Sequence, residues 1–149
     1  MALNAGTFRS ERFDLLTFAS ADPGAGNDFN VTVPDNRVHQ CMSLQFNMVT
    51  SVVAADRVVS VRILSGALSG HQAFMPFIQE ANTERNYYFA VGIASADLSA
   101  VAGVLAYQTA LPCGFVGQAE EVIQTTVHNM DAGDVITGIE QAIRVWRIQ

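Results

Sequence analysis

The chain has 149 residues, half of them hydrophobic, and only 15% carry a formal charge, against about 25% in an average soluble domain. This is the length of one domain with a real core, and the net charge of −6 argues against nucleic-acid binding, which needs clustered lysine and arginine. All eight basic residues are dispersed arginines. Because protein interfaces are depleted in lysine and enriched in arginine, the composition indicates a surface made for contact with other proteins.

The sequence shows neither a signal peptide nor a membrane span. Charges occur by residue 9, so the N-terminus lacks the apolar stretch of a secretory signal. No run approaches the roughly 18 apolar residues of a membrane helix. We therefore expect a soluble chain made in the cytoplasm, with no membrane partner. Cys41 and Cys113 lie in no CxxC pair, and we interpret them as two buried small hydrophobes.

The N-terminal segment mixes aromatic and charged side chains. Phe8, Arg9, Arg12 and Phe13 lead into a short apolar run. Residues 1–20 are therefore either an arm that docks on a neighbouring molecule or the first strand of the domain's own sheet, and the sequence leaves both open.

Alternation of apolar and polar residues dominates the middle of the chain and predicts strands. It is clear over 42–48 and again over 59–63, and the short connection between these runs predicts an antiparallel pair. Residues 86–91, rich in aromatic and β-branched side chains, form a third predicted strand. The segment 68–83 contains Pro76 in its middle, so at most a short helical turn is expected there.

The C-terminal third predicts two strands, 122–127 and 135–148, joined by a turn at 129–134. A bulge near Gly138 would let the second strand turn Ile139, Ile143 and Val145 toward the core. We expect the opposite face of this strand to contact a partner. That face would carry Ala142, Arg144, Trp146 and Ile148.

About eight short strands separated by Gly, Pro, Asn and Asp predict an all-β fold. We expect one antiparallel β-sandwich domain spanning 1–149. A jelly-roll-like arrangement is favoured because the strands come as hairpins with longer loops between them. Residues 95–107 fit both helical and strand spacing, and we favour a turn followed by a strand because a second hairpin would complete the pattern.

No group of residues specifies catalysis, a cofactor or a metal site. The histidines at 39, 71 and 128 have no metal-binding spacing. The segment 129–140 resembles a calcium loop in its oxygen ligands, but Asp134 stands where that loop requires glycine. We therefore favour a plain hairpin turn with positive φ at Gly133.

Exposed aromatic side chains raise a separate hypothesis, because they can stack on sugars. A carbohydrate platform could be built from Tyr87, Tyr88, Tyr107 and Trp146. Such residues more often belong to a core or a protein interface than to a sugar site, so we favour a core or interface role for these four.

Three parts of the chain resemble the small β-sandwich structural proteins of tailed-bacteriophage virions, particularly capsid decoration or cement proteins. They are the strand 57–63, the pair Leu111-Pro112, and the run 125–139 ahead of a terminal strand with Trp146. The likeness is one of pattern over residues 38–149. It implies a protein that binds the major capsid protein or other virion proteins and stabilises the assembled shell without catalysis, often as a trimer.

The expected location is thus a virion assembled in the host cytoplasm, with no enzymatic activity, no cofactor, no metal and no nucleic acid. Two other roles stay open, a carbohydrate- or receptor-binding module of a tail fibre and a tail or head-completion component. The residues expected to make the protein contacts are Phe8, Arg9, Arg12, Phe13, Arg144, Trp146 and Ile148.

Overall fold

The computed structural model describes residues 13–66, 68–99, 104–112 and 115–147, all of them in strands, turns or extended loops. In chain order the strands are β1 (Asp14–Ala19), β2 (Asn30–Thr32), β3 (Arg37–Val49), β4 (Arg57–Ser65), β5 (Leu68–Gln79), β6 (Glu84–Val91), β7 (Ala96–Asp97), β8 (Ala106–Leu111), β9 (Val116–Gly117), β10 (Val122–His128) and β11 (Val135–Arg147). Eight of these described strands have six residues or more, which agrees with the predicted number.

The strands form two sheets, so the predicted all-β sandwich is confirmed. One sheet has seven strands in the order β1-β11-β3-β6-β8-β7, with β9 also paired to β3, and the other has four in the order β2-β10-β4-β5. All pairs are antiparallel except β6 with β8, which run parallel. The jelly-roll arrangement stays a prediction.

The core lies between the two sheets and is built from alternate residues of each long strand, as the period of two requires. The seven-stranded sheet contributes aromatic and aliphatic side chains from its central strands, among them Leu44, Phe46, Tyr87, Phe89 and Ile136. The four-stranded sheet covers them with Val59, Val61, Met75 and Ile123.

The predicted bulge in β11 is confirmed. The register against β3 shifts between Thr137 and Glu140, and Gly138 adopts φ +62°, the conformation that a glycine supplies at such a bulge. After it, Ile139, Ile143 and Val145 are buried. A strand of thirteen residues can therefore keep one face on the core although its sequence breaks strict alternation.

Two predicted hairpins are wrong. Strands β3 and β4 lie in different sheets, and so do β10 and β11. Between the two strands of each pair the chain crosses from one sheet to the other. Each strand has one apolar face, and the two faces pack against each other from opposite sides of the core. Alternation reports that a strand has a buried face but does not report from which side the core is covered.

The helical turn expected at 68–83 is also wrong, because β5 is a twelve-residue strand. Pro76 is tolerated there since β5 lies at the edge of its sheet, where a missing N–H costs no ladder hydrogen bond. The register against β4 also shifts around it, from Val58 paired with Ile78 to Ser60 paired with Phe74. Pro76 thus lies where β5 has extra residues relative to β4, at an irregular edge of the sheet.

Two other expectations concern segments that the structure describes in part. The turn and strand expected at 95–107 correspond to β7 and β8, which pair antiparallel with each other, while β8 also pairs in parallel with β6. At the N-terminus, β1 is a strand of the seven-stranded sheet, paired with β11. Residues 1–12 and 100–103 lie outside the described residues.

A buried ion pair holds together the loops at one end of the sandwich. Arg57, at the start of β4, and Asp134, just before β11, are both 0% exposed, and the guanidinium donates from Nε and Nη2 to the two carboxylate oxygens at 3.0 Å each. Nη1 of Arg57 also donates to the carbonyls of Val53 and Ala55. The crossing from β3 to β4 is therefore fixed by its own arginine.

The carboxylate of Asp134 fixes the second crossing, from β10 to β11. It accepts backbone N–H groups of Ser51 at 2.8 Å and Asp131 at 2.9 Å. Burial acts to raise the pKa of Asp134, but the hydrogen bonds from Arg57 and these two N–H groups outweigh it and leave the pKa lowered. The sequence predicts positive φ at Gly133, and this prediction is wrong. The residue with positive φ in this turn is Asn129, at +59°.

We predict that Arg57→Met destabilises the protein by about 3–5 kcal/mol, because removing one partner leaves the other charge buried without compensation. Arg62→Ala is the matched control. Within the described residues the guanidinium of Arg62 donates to the side chain of Gln124 alone, so we expect a cost of about 1 kcal/mol. Urea denaturation at neutral pH measures both. Equal losses for the two variants would show that the buried pair does not hold the loops.

Candidate functional site

Three of the predicted interface residues come together on the outer face of the seven-stranded sheet. The rings of Phe13 and Trp146 lie 6.0 Å apart between centroids and are tilted by 53°. The guanidinium carbon of Arg144 lies 4.9 Å from the centroid of the Phe13 ring, in cation–π contact. We call Phe13, Arg144 and Trp146 the aromatic–arginine cluster.

Strand pairing explains why residues so distant in sequence meet. Strand β1 runs antiparallel to β11, with Leu15 opposite Arg144, so Phe13 comes beside Trp146. On the other side of β11, Trp146 is opposite Val38 of β3. Val38 lies on the outer face, because its neighbour His39 faces the core, yet Val38 is only 5% exposed. The cluster is thus a small apolar patch on the outside of the sheet.

The patch is only partly covered by the protein itself. Phe13 is 46% exposed and Leu15 beside it is 64% exposed, while Arg144 and Trp146 are half-buried. Trp and Arg are the residue types most enriched at the energetic centres of protein interfaces. This arrangement offers area and a cation to a partner but no nucleophile or general base.

A shallow groove continues from the cluster along the same face. It has a volume of about 390 Å³ and is lined mainly by small and polar side chains of β1, β3 and β11, among them Thr17, Ser43 and Ala142. At its end Gln45 donates a hydrogen bond to the Glu140 carboxylate. The outer face is therefore apolar at one end and polar along its middle, where Glu140 carries a charge.

The remaining predicted interface residues lie outside the described part of the chain. They are Phe8, Arg9, Arg12 and Ile148. Sequence reasoning missed the exposed apolar residues Phe74 and Ile78 of the edge strand β5, whereas Leu15 and Leu16 lie in the segment 1–20 that was considered as a docking arm. The signal for β1 was present in the consecutive leucines 15 and 16, because neighbours in a strand point to opposite faces and only one of them can reach a core.

The four aromatic residues considered for a sugar platform do not lie together. Tyr87 and Tyr107 belong to the core, with their rings in edge contact at 5.7 Å. The Tyr87 hydroxyl donates to Gln79 at 2.8 Å, and burial raises the pKa of Tyr87. Tyr88 and Trp146 remain on the outer face, Tyr88 opposite Gln45 and Trp146 opposite Val38, seven residues away along β3.

The described residues contain no group of three or more His, Cys, Asp or Glu side chains placed to hold a metal ion. Glu140 lies with Gln45 on the outer face, and Asp134 is engaged by Arg57. Burial raises the pKa of the Cys41 thiol to about 12, as expected for a core cysteine. Cys113 lies outside the described residues.

Among the histidines, His71 and His128 are exposed, whereas His39 is 5% exposed and neither ring nitrogen has a hydrogen-bond partner within the described structure. His39 lies on β3 between Val145 of β11 and Gly117 of β9. Burial, with a further contribution from the positive charge of Arg37, lowers the pKa of His39 from its ordinary 6.5.

Comparison of the chain with protein-family models, with curated proteins and with solved structures gives no match. In the described part of the chain, no helix has the length and hydrophobicity to span a membrane.

We predict that His39 makes stability depend on pH below 6.5. Because the pKa is lowered in the folded state, the unfolded chain takes up the proton first as the pH falls, so stability present above pH 6.5 is lost below it. Urea midpoints at pH 7.5 and 5.5 for wild type and His39→Phe test this. The wild type should lose stability over this range and the variant should lose less; equal losses would contradict the assignment to His39.

Proposed function

We propose that this protein is a non-catalytic structural component of a tailed-bacteriophage virion, a capsid decoration protein that binds and stabilises the assembled shell. The observation that carries the proposal is the aromatic–arginine cluster on the outer face of the seven-stranded sheet. Phe13, Arg144 and Trp146 lie on the face of β11 that the core does not use. A partner protein is the natural cover for such a patch.

The distribution of exposed apolar residues supports attachment through several surfaces. Besides the cluster, Phe74 is 60% exposed and Ile78 is 50% exposed on β5 of the other sheet. Val52, on the β3–β4 loop, is 79% exposed. The Arg57 guanidinium fixes that loop through the carbonyls of Val53 and Ala55. Several modest, preorganised contacts made at once give strong attachment through multivalency.

The proposed partners are the major capsid protein or other virion proteins, together with further copies of the same chain. Low overall charge and arginine in place of lysine are the compositional properties that such interfaces favour. A role without catalysis is consistent with the ion pair of Arg57 and Asp134, which is buried and organises loops.

We predict that Trp146→Ala and Arg144→Ala each weaken binding to purified phage shells by about 30-fold, the loss expected for an interface residue worth about 2 kcal/mol. Arg62→Ala is the matched control for Arg144→Ala, because it removes a half-buried arginine from the opposite sheet. Co-sedimentation with shells stripped of decoration protein measures binding, and circular dichroism checks the fold.

Two results would contradict the proposal. One is wild-type protein that does not bind shells at all. The other is an equal loss for Trp146→Ala, Arg144→Ala and Arg62→Ala, which would remove the outer face of the seven-stranded sheet from the interface. A variant at Arg144 or Trp146 that unfolds would instead show that the cluster is part of the core packing.

A further inference from the structure

Strand β1 has one edge that no other described strand pairs with. Within the described residues it pairs only with β11, through residues 14–19. Just beyond it, the N–H of Ser20 donates to the carbonyl of Ile139, its opposite residue, at 2.9 Å. Since hydrogen-bonded pairs alternate along an antiparallel ladder, the even-numbered residues bond to β11. The N–H and C=O groups of Leu15, Thr17 and Ala19 therefore point outward.

This edge lacks the features by which proteins prevent strand pairing. Edge strands are usually protected by lysine, proline, bulges or charges pointing inward. Strand β1 has the sequence Asp-Leu-Leu-Thr-Phe-Ala, with a single charge at its first residue, and its ladder with β11 is continuous. It also exposes apolar side chains on both faces, Leu15 at 64% and Leu16 at 42%.

The other described edges are short or covered. Strand β2 has three residues and β7 has two. The long edge strand β5 is closed by side chains of β8, because Tyr107 donates its hydroxyl to the carbonyl of Ile78 at 3.0 Å and Thr109 donates to that of Phe74 at 3.4 Å. Among the described strands, only β1 is a long edge of this kind.

We propose that β1 pairs with β1 of a second copy of this chain, antiparallel across a two-fold axis, to join two seven-stranded sheets. A second copy of the chain offers an open edge of the same length, because in the described part of the chain β1 is the long strand with an unpaired and uncovered edge. Antiparallel self-pairing is isologous, so it closes as a dimer and does not continue into a filament.

Backbone geometry selects the register. The outward-pointing residues must bond to outward-pointing residues, so odd-numbered positions face odd-numbered positions of the second copy. The register that overlaps all of 13–19 places Leu16 opposite Leu16, Leu15 opposite Thr17, and Phe13 opposite Ala19. Asp14 then faces Phe18, and the two like charges lie at opposite ends of the new ladder.

The first test is the mass of the full chain by sedimentation equilibrium. We expect wild type at twice 16.0 kDa and Thr17→Pro at the monomer mass, because proline removes an outward N–H that the fold itself does not use. Thr17→Ala, which keeps the N–H, should remain a dimer. A wild-type monomer or trimer, or a Thr17→Pro variant that still forms the dimer, would overturn the proposal.

A second test reads the register directly and does not depend on the proline variant folding. In a Cys113→Ser background, Leu16→Cys should form an intermolecular disulfide under mild oxidation, since residues opposite each other at a two-fold axis come within disulfide reach. Leu15→Cys is the matched control, because its two copies lie about two residues apart in the ladder and beyond that reach. Equal cross-linking at both positions, or none at residue 16, would overturn the register and the pairing.

This inference goes beyond the proposed virion role and can fail separately from it. A chain that binds shells but is not a β1-paired dimer keeps the proposed function and loses this interface. A dimer that responds to Thr17→Pro but binds no shells does the reverse.

Discussion

The fold depends on one buried ion pair because its two main crossings between sheets meet at it. Strands β3 and β4 lie in different layers, as do β10 and β11, and both connections lie at the same end of the sandwich. Arg57 supplies donors to Asp134 and to two carbonyls of its own loop, while Asp134 accepts two backbone N–H groups. A buried arginine is costly unless its donors are bonded, so this network specifies how the loops, and hence the layers, are arranged.

The larger sheet has more strands than the smaller sheet can cover. Seven strands face four. The surplus explains why Leu16, on the inner face of β1 beside the buried Ile143, is still 42% exposed. The cluster of Phe13, Arg144 and Trp146 lies on the outer face of the sheet, which the smaller sheet does not reach.

Much of the fold could be predicted from alternation and residue type, including strands β3, β4, β6, β10 and β11, the Gly138 bulge and the buried Ile139, Ile143 and Val145. Strand partners could not, because a period of two is the same on either side of a core; this is why β3 and β4 were wrongly paired. Pro76 misled for a related reason, since its meaning depends on whether the strand is an edge. The Phe13, Arg144 and Trp146 group was predicted as separate residues, but their contact follows from the β1–β11 register, which no local pattern contains.

The absence of lysine bears on how the edge strands of the two sheets are protected. In a chain without lysine, long edges need another form of protection. Strand β5 has it, because Tyr107 and Thr109 bond its outer carbonyls and Pro76 interrupts its regularity. Strand β1 has neither device, and its two leucines turn one to each face. Among the described residues, β1 is therefore the long edge without protection, and this is the edge for which self-pairing is proposed.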